Sequence, residues 1–200
     1  MVKKSAATRE AIVAACLESL REDGYARTSA RSIARRGGFG QALIYYHFED
    51  LGALLLAALE NASTDRLRRY REELAEVATV TELAARLAEL YREDVAVGHV
   101  KAVQEVVAGV SASPERGRRV MDLLQPWHEL AEAVIQKLVA GTAFAPLVPA
   151  GDAAFAALAL YMGMETMTHL DGDRAPGERL LEALRGLAPL ADTIRESSRA

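Results

Sequence analysis

Small and apolar residues recur at helical spacing near the start of the chain. Ile12, Ala15, Cys16, Ser19 and Leu20 fall at i, i+3, i+4, i+7 and i+8, with Arg9, Glu10 and Glu18 off the stripe. This predicts an amphipathic helix ended by Gly24. Thr28 stands where an N-cap would open a second helix whose Ile33 and Ala34 face inward, and Gly37-Gly38 supplies the backbone freedom of a turn. A third helix is expected over Gly40 to His47, with Ile44 and Phe48 four apart on its buried side. Glu49 and Asp50 place negative charge before a fourth helix that carries Leu51, Leu54, Leu55, Ala58 and Leu59 and continues through the charged run Asp65 to Glu73.

The remainder reads as helical throughout. Thr79-Val80-Thr81-Glu82 has capping-box spacing ahead of Leu83, Leu87, Leu90 and Tyr91. Val100, Val103, Val106, Val107 and Val110 form a helical stripe, with a strand as the alternative because of their β-branching. Ser113-Pro114-Glu115 is a helix start, and that helix should reach Gly141 with a kink near Pro126. Thr142 to Gly151 reads as a loop. Two final helices, about 152–170 and 177–194, flank the turn residues Asp171-Gly172-Asp173, and Pro189 should kink or end the second. The expected fold class is therefore all-α, with about nine helices.

Composition supports this: of 200 residues, 50% are hydrophobic, enough for a substantial core, and few are aromatic. The start of the chain lacks a signal-peptide pattern, and the longest apolar runs are too short to span a bilayer, so a cytoplasmic protein is expected. Cys16, the one cysteine, lies on the apolar face of the first helix and reads as a core residue. The net charge of −4 is unevenly divided. Residues 1–48 hold eight cations (Lys3, Lys4, Arg9, Arg21, Arg27, Arg31, Arg35, Arg36) against four anions (Glu10, Glu18, Glu22, Asp23), so the rest sums to −8. A small basic reader on an acidic body fits that asymmetry, because phosphate neutralisation needs local positive charge.

The two short helices around the glycine turn have the spacing of a helix-turn-helix. The segment resembles the TetR family of bacterial regulators through Thr8-Arg9-Glu10, Ile12, Ala14-Ala15, Gly24-Tyr25, Thr28-Ser29, Ile33-Ala34, Gly38, Tyr45, His47, Phe48 and Leu54. The resemblance covers about the first 60 residues; beyond them only length and helical layout agree. It implies a DNA-binding domain over 1–50, an effector-binding and dimerisation domain over 51–200, and a homodimer that places each third helix in a major groove. By the same resemblance Gln41, Ala42 and Leu43 fall where base edges are read, and Tyr45, Tyr46 and His47 where the DNA backbone is touched. Thr28 and Arg31 match further phosphate or groove contacts.

Side-chain chemistry agrees with these assignments. Gln41 can pair bidentately with adenine, Ala42 and Leu43 offer apolar contact to a thymine methyl, and the Tyr45 hydroxyl and His47 imidazole can donate to phosphate. Two positions depart from the family. Leu51 stands where a phosphate-pairing lysine is usual just after the third helix, and Gly40 where a serine or threonine would cap it. Arg31, Arg35 or Arg36 could compensate.

Tyr91, His99, Gln104, Met121, Trp127, Tyr161, Met164 and Met167 could line a pocket for a small apolar or amphipathic effector. Equally, any one of them could simply fill a helical core. The resemblance places the dimer surface on the last two long helices, where Ala153, Ala154, Ala156, Ala157 and Gly163 allow close packing and Leu180, Leu181, Leu184 and Leu187 add area. The function implied is ligand-responsive transcriptional regulation, with repression more usual than activation. The competing readings are a helical interaction protein without DNA binding, and an enzyme built on His169, Asp171 and Asp173. That last spacing matches no established metal motif and is equally explained by turn formation. No cofactor and no metal are expected.

Overall fold

The computed structural model describes residues 2–110, 114–143, 145–147 and 149–198, with side chains described for all of these except 2–4, 105 and 108–110. Among the described residues there are nine α-helices and no strand: α1 (Val2–Asp23), α2 (Ala30–Gly37), α3 (Gln41–His47), α4 (Leu51–Leu74), α5 (Val80–Ala96), α6 (His99–Val110), α7 (Pro114–Val139), α8 (Ala150–Asp171) and α9 (Ala175–Ser197). No single described helix is long and apolar enough to cross a membrane. By packing, the chain divides into two compact units, 1–66 with 95–123 and 67–94 with 124–200. This division follows contacts between helices, whereas the division expected at residue 50 is by function.

In the first unit Ile12, Cys16 and Leu20 of α1, Ile33 of α2, Ile44 of α3, Leu54 and Leu55 of α4, and Val100 and Val106 of α6 are fully buried. Removing each such side chain from water contributes on the order of 1.5–3 kcal/mol. Burial pushes the Cys16 thiol up to about 12, as expected of a core cysteine. The valine stripe is helical, so the strand alternative falls. Lys101 of α6 donates to the Arg21 carbonyl at the end of α1 (3.1 Å), satisfying an acceptor that the helix leaves open.

The start of α2 differs from expectation. Ser29, not Thr28, is the N-cap: its hydroxyl accepts from the Ser32 amide (3.1 Å) while the Ser32 hydroxyl accepts from the Ser29 amide (2.8 Å). Thr28 is turned inward and donates to the Gly24 carbonyl (2.8 Å), closing the loop in which Gly24 takes φ 75°. At the other end Gly38 has φ 69°, a left-handed conformation that stops α2 at low steric cost. The Phe39 ring covers Gly37 so closely that a side chain there would collide with it.

The second unit is tied by contacts distant in sequence. The expected capping box forms at α5, with the Glu82 amide donating to the Thr79 hydroxyl (3.0 Å) and the Thr79 amide to the Glu82 carboxylate (3.2 Å). Asp192 of α9 adds a second cap to the same helix end, accepting from the amides of Val80 (2.7 Å) and Thr81 (2.9 Å) and from the Thr81 hydroxyl (2.7 Å). Buried Arg195 donates to the carbonyls of Ala78 (2.9 Å) and Leu138 (3.3 Å). These anchors hold the last turns of α9, which therefore runs through Pro189 to Ser197 instead of ending there. Likewise α7 continues through Pro126. Leu74, Val77 and Leu90 form a core with Tyr70, Leu83 and Val134, whereas Leu87 is exposed. The expected N-cap Ser113 lies outside the described residues.

Candidate functional site

α3 is seven residues long and buries only Ile44, with Phe48 buried just beyond it. The helix is thus anchored from one side, and Gln41, Ala42, Tyr45 and Tyr46 are exposed, Tyr46 at 79%. Leu43 and His47 are half-buried, and the Tyr46 and His47 rings meet edge-on with centroids 5.1 Å apart. Gly40 begins the helix with no side-chain cap, as its lack of a side chain requires. The face therefore presents one amide and two phenols.

The arginines around it divide into two kinds. Arg31 and Arg35 are exposed. Arg36 is committed within the fold: its guanidinium donates to Glu22 (2.6 Å), Asp23 (2.9 Å) and the Ser19 hydroxyl (3.2 Å), fastening α2 to α1. Arg9, exposed on α1, sits with its guanidinium 5.0 Å from the centroid of the Phe48 ring, at the C-terminal end of α3. Thr28, expected at the surface, is 7% exposed and gives its hydroxyl to the Gly24 carbonyl within the loop.

Immediately after α3, the Asp50 carboxylate accepts from the Ala53 amide (2.8 Å), capping α4, and pairs through its other oxygen with Arg116 of α7. The Arg116 guanidinium lies against Gly52, where a larger residue would displace it. The start of α4 is thereby fixed by charge and by contact.

The eight residues expected to line an effector pocket fall in both units. His99, Gln104 and Met121 belong to the first unit, and Tyr91, Trp127, Tyr161, Met164 and Met167 to the second. Met121 and Met167 are exposed, Met167 at 74%, and so do not serve as buried walls. Tyr91 and Tyr161 do meet, edge-on at 6.4 Å, and Trp127 meets Tyr70 in the same way at 5.0 Å.

The polar centre of the second unit joins Tyr91 to two residues absent from the sequence-based set, Glu165 and Arg174. Glu165 of α8 is 1% exposed; the Tyr91 hydroxyl donates to its Oε1, and Arg174 Nη1 stands 3.5 Å from its Oε2 and donates to the Tyr91 hydroxyl (3.0 Å). Burial, then the bond to Glu165, push the Tyr91 hydroxyl well above its ordinary range, so it stays a neutral donor. The signal for Glu165 is legible in retrospect: it is the one carboxylate between Asp152 and Asp171, within an otherwise apolar run. A second buried carboxylate, Asp94 of α5, accepts from the Tyr70 hydroxyl (2.9 Å). His169, Asp171 and Asp173 are exposed, and no group of three His, Cys, Asp or Glu side chains converges among the described residues.

A short helix with an exposed polar face, set by a glycine turn against a preceding capped helix, defines a helix-turn-helix DNA-binding domain. Residues 12–58 match the family model described as bacterial regulatory proteins, tetR family. The chain is similar to that family over this segment, and its whole length has the fold of solved family members. A TetR-family regulator from Cytophaga hutchinsonii is similar at TM-score 0.74 and 19% identity, over 93% of this chain and 95% of that one. The regulator FadR from Bacillus subtilis, solved with stearoyl-CoA, is similar at TM-score 0.69 and 16% identity, over 90% and 96%. A regulator from Saccharomonospora viridis, solved with choline, is similar at TM-score 0.69 and 20% identity, over 91% and 95%. No curated protein sequence matches the chain.

Proposed function

We propose that the protein is a ligand-responsive, sequence-specific DNA-binding regulator, a homodimeric repressor released from a pseudo-palindromic operator by a small apolar or amphipathic effector. The observation that carries this reading is the face of α3, whose Gln41, Tyr45 and Tyr46 are exposed while Ile44 and Phe48 hold the helix from behind. Within it, residues 1–50 read DNA and 51–200 bind effector and partner. Gln41, Ala42 and Leu43 meet base edges; Tyr45, Tyr46, His47 and Arg31 meet the backbone. Arg9 supplies, at the end of α3, the cation that Leu51 does not. Thr28 contributes by holding the loop that presents Ser29.

The homodimer is supported by two apolar stripes. Ala156, Leu160, Gly163, Met167 and Leu170 on α8, and Leu180, Leu184, Leu187, Ala191 and Ile194 on α9, each follow 4,3,4,3 spacing, and all ten are exposed. Such seams are what helices bury against another helical pair, and left in water they would be a liability. Two readers on a two-fold axis then require two related half-sites.

Selection of fragments from source-genome DNA by the purified chain at near-physiological salt tests the reading. A pseudo-palindrome should be enriched, lost with Tyr45→Ala and altered at one base position with Gln41→Ala. A folded dimer that enriches no sequence, with and without extracts of the source cells as effector, would leave the helical interaction protein as the better description.

A further inference from the structure

We propose that the Glu165 carboxylate is the anchoring point for a cationic effector, an alkylammonium bearing an apolar tail, and that Arg174 holds its place in the free protein. The inference rests on the effector-responsive reading above and names the ligand class of that site. Glu165 is a carboxylate on the buried side of α8, with Met164 and Thr168 buried beside it. A charge so placed must be compensated. It accepts one hydrogen bond, from Tyr91, and the only cation paired with it among the described ion pairs is Arg174, at 3.5 Å. Arg174 makes its better hydrogen bond to the Tyr91 hydroxyl, and its side chain is about one-third exposed (34%). The buried charge is thus balanced by a side chain that itself reaches solvent.

Charge bookkeeping selects the ligand. A cation entering from the Arg174 side exchanges one positive partner for another, and Glu165 stays compensated throughout. An anion would have to draw Arg174 away, leaving a buried carboxylate bare with a second negative charge beside it; a neutral ligand offers the carboxylate nothing. The rings of Tyr91 and Tyr161, edge-on to one another, add π-surface on which an ammonium group is favoured, and Met164 is apolar. Arg174 is also the residue that precedes α9, and three residues on, Gly177 packs so closely on Met164 that a side chain there would sit 3.2 Å from its Cγ. Displacing Arg174 therefore acts on the start of a helix that carries one of the apolar stripes, a route by which ligand could bias the dimer.

Two roles for Arg174 predict opposite results. If it is a structural partner of Glu165, removing it weakens everything; if it is a stand-in for the ligand, removing it vacates the site. Calorimetric titration of the full chain, free of DNA, with decyltrimethylammonium, decanoate and decanol below their aggregation limits separates them. The cation should bind about tenfold or more tightly than either other probe, a preference lost in Glu165→Gln, and Arg174→Met should raise its affinity by about tenfold. Decyltrimethylammonium should also restore the thermal midpoint of Arg174→Met, which decides the matter even if Glu165→Gln fails to fold. No preference for the cation, or an Arg174→Met variant that binds it no better, overturns the proposal. Because DNA is absent from the titration, failure here leaves the operator selection standing, and failure of that selection leaves this result standing.

Discussion

The exposed face of α3 and the exposed faces of α8 and α9 lie on helices of very different length and chemistry. The seven-residue α3 presents an amide, phenols and an imidazole edge, groups that keep their polar tips in water until a phosphate or base edge replaces it. The 22- and 23-residue α8 and α9 present leucine, methionine, isoleucine and alanine at heptad spacing, groups with no polar tip to offer. Length explains part of the contrast. A short helix buries one or two anchors and can spend the rest on recognition, whereas a stable helix–helix seam needs several turns in register. Each face thus points to a different class of partner within one chain.

The contrast breaks most completely if the apolar stripes are charged. Met167→Asp with Leu187→Asp should convert the dimer to a folded monomer in sedimentation equilibrium and lower operator affinity by about a hundredfold or more, since one half-site supplies only part of the binding energy. An unchanged dimer would show that those stripes face solvent in the assembly as well.

A smaller effect is expected at Asp192, which caps α5 from α9. Burial pushes its carboxyl up, but the hydrogen bonds from Thr81 and the Val80 and Thr81 amides outweigh that and hold it below its ordinary value. A depressed carboxyl contributes stability that is full above its unfolded value of about 4 and is lost as pH falls through the folded one. Asp192→Asn should therefore cost about 2 kcal/mol in urea unfolding at pH 7, and the deficit should shrink toward pH 3. A deficit that is constant across that range would assign the cost to packing instead of charge.

The smallest effect sharpens the α3 side. Arg9→Ala should weaken operator binding several-fold and reduce the slope of log affinity against log salt by about 0.9, the signature of one phosphate contact, without changing the selected sequence. An unaltered slope would reduce Arg9 to a packing partner of Phe48.

The regions also differ in how far their sequence discloses them. α1 to α4 are framed by local signals: the stripe on α1, Gly24, Gly37-Gly38, and an acidic residue before Leu51. Even there the cap was displaced by one residue, because Thr28 and Ser29 are both good caps and the choice was made by the Gly24 carbonyl, which captured the Thr28 hydroxyl. The commitment of Arg36 to Glu22 and Asp23 was hidden because charge along a sequence does not show which cations are already paired. In the second unit the capping box was legible, but the Tyr91, Glu165 and Arg174 cluster joins three segments 74 and 83 residues apart from Tyr91, a separation on which periodicity is silent. Composition likewise does not tell a buried methionine from an exposed one, so the exposure of Met167 is not legible before the fold is known.

The central claim is that one face reads DNA while the other pairs two chains so that two readers act together. Hydroxyl-radical footprinting of the wild-type protein on its selected duplex tests it most directly. The account predicts two protected patches related by a two-fold axis, their centres about one helical turn or a multiple of it apart, that vanish together in the Met167→Asp, Leu187→Asp variant. A single protected patch, or two that survive in that variant, would contradict it.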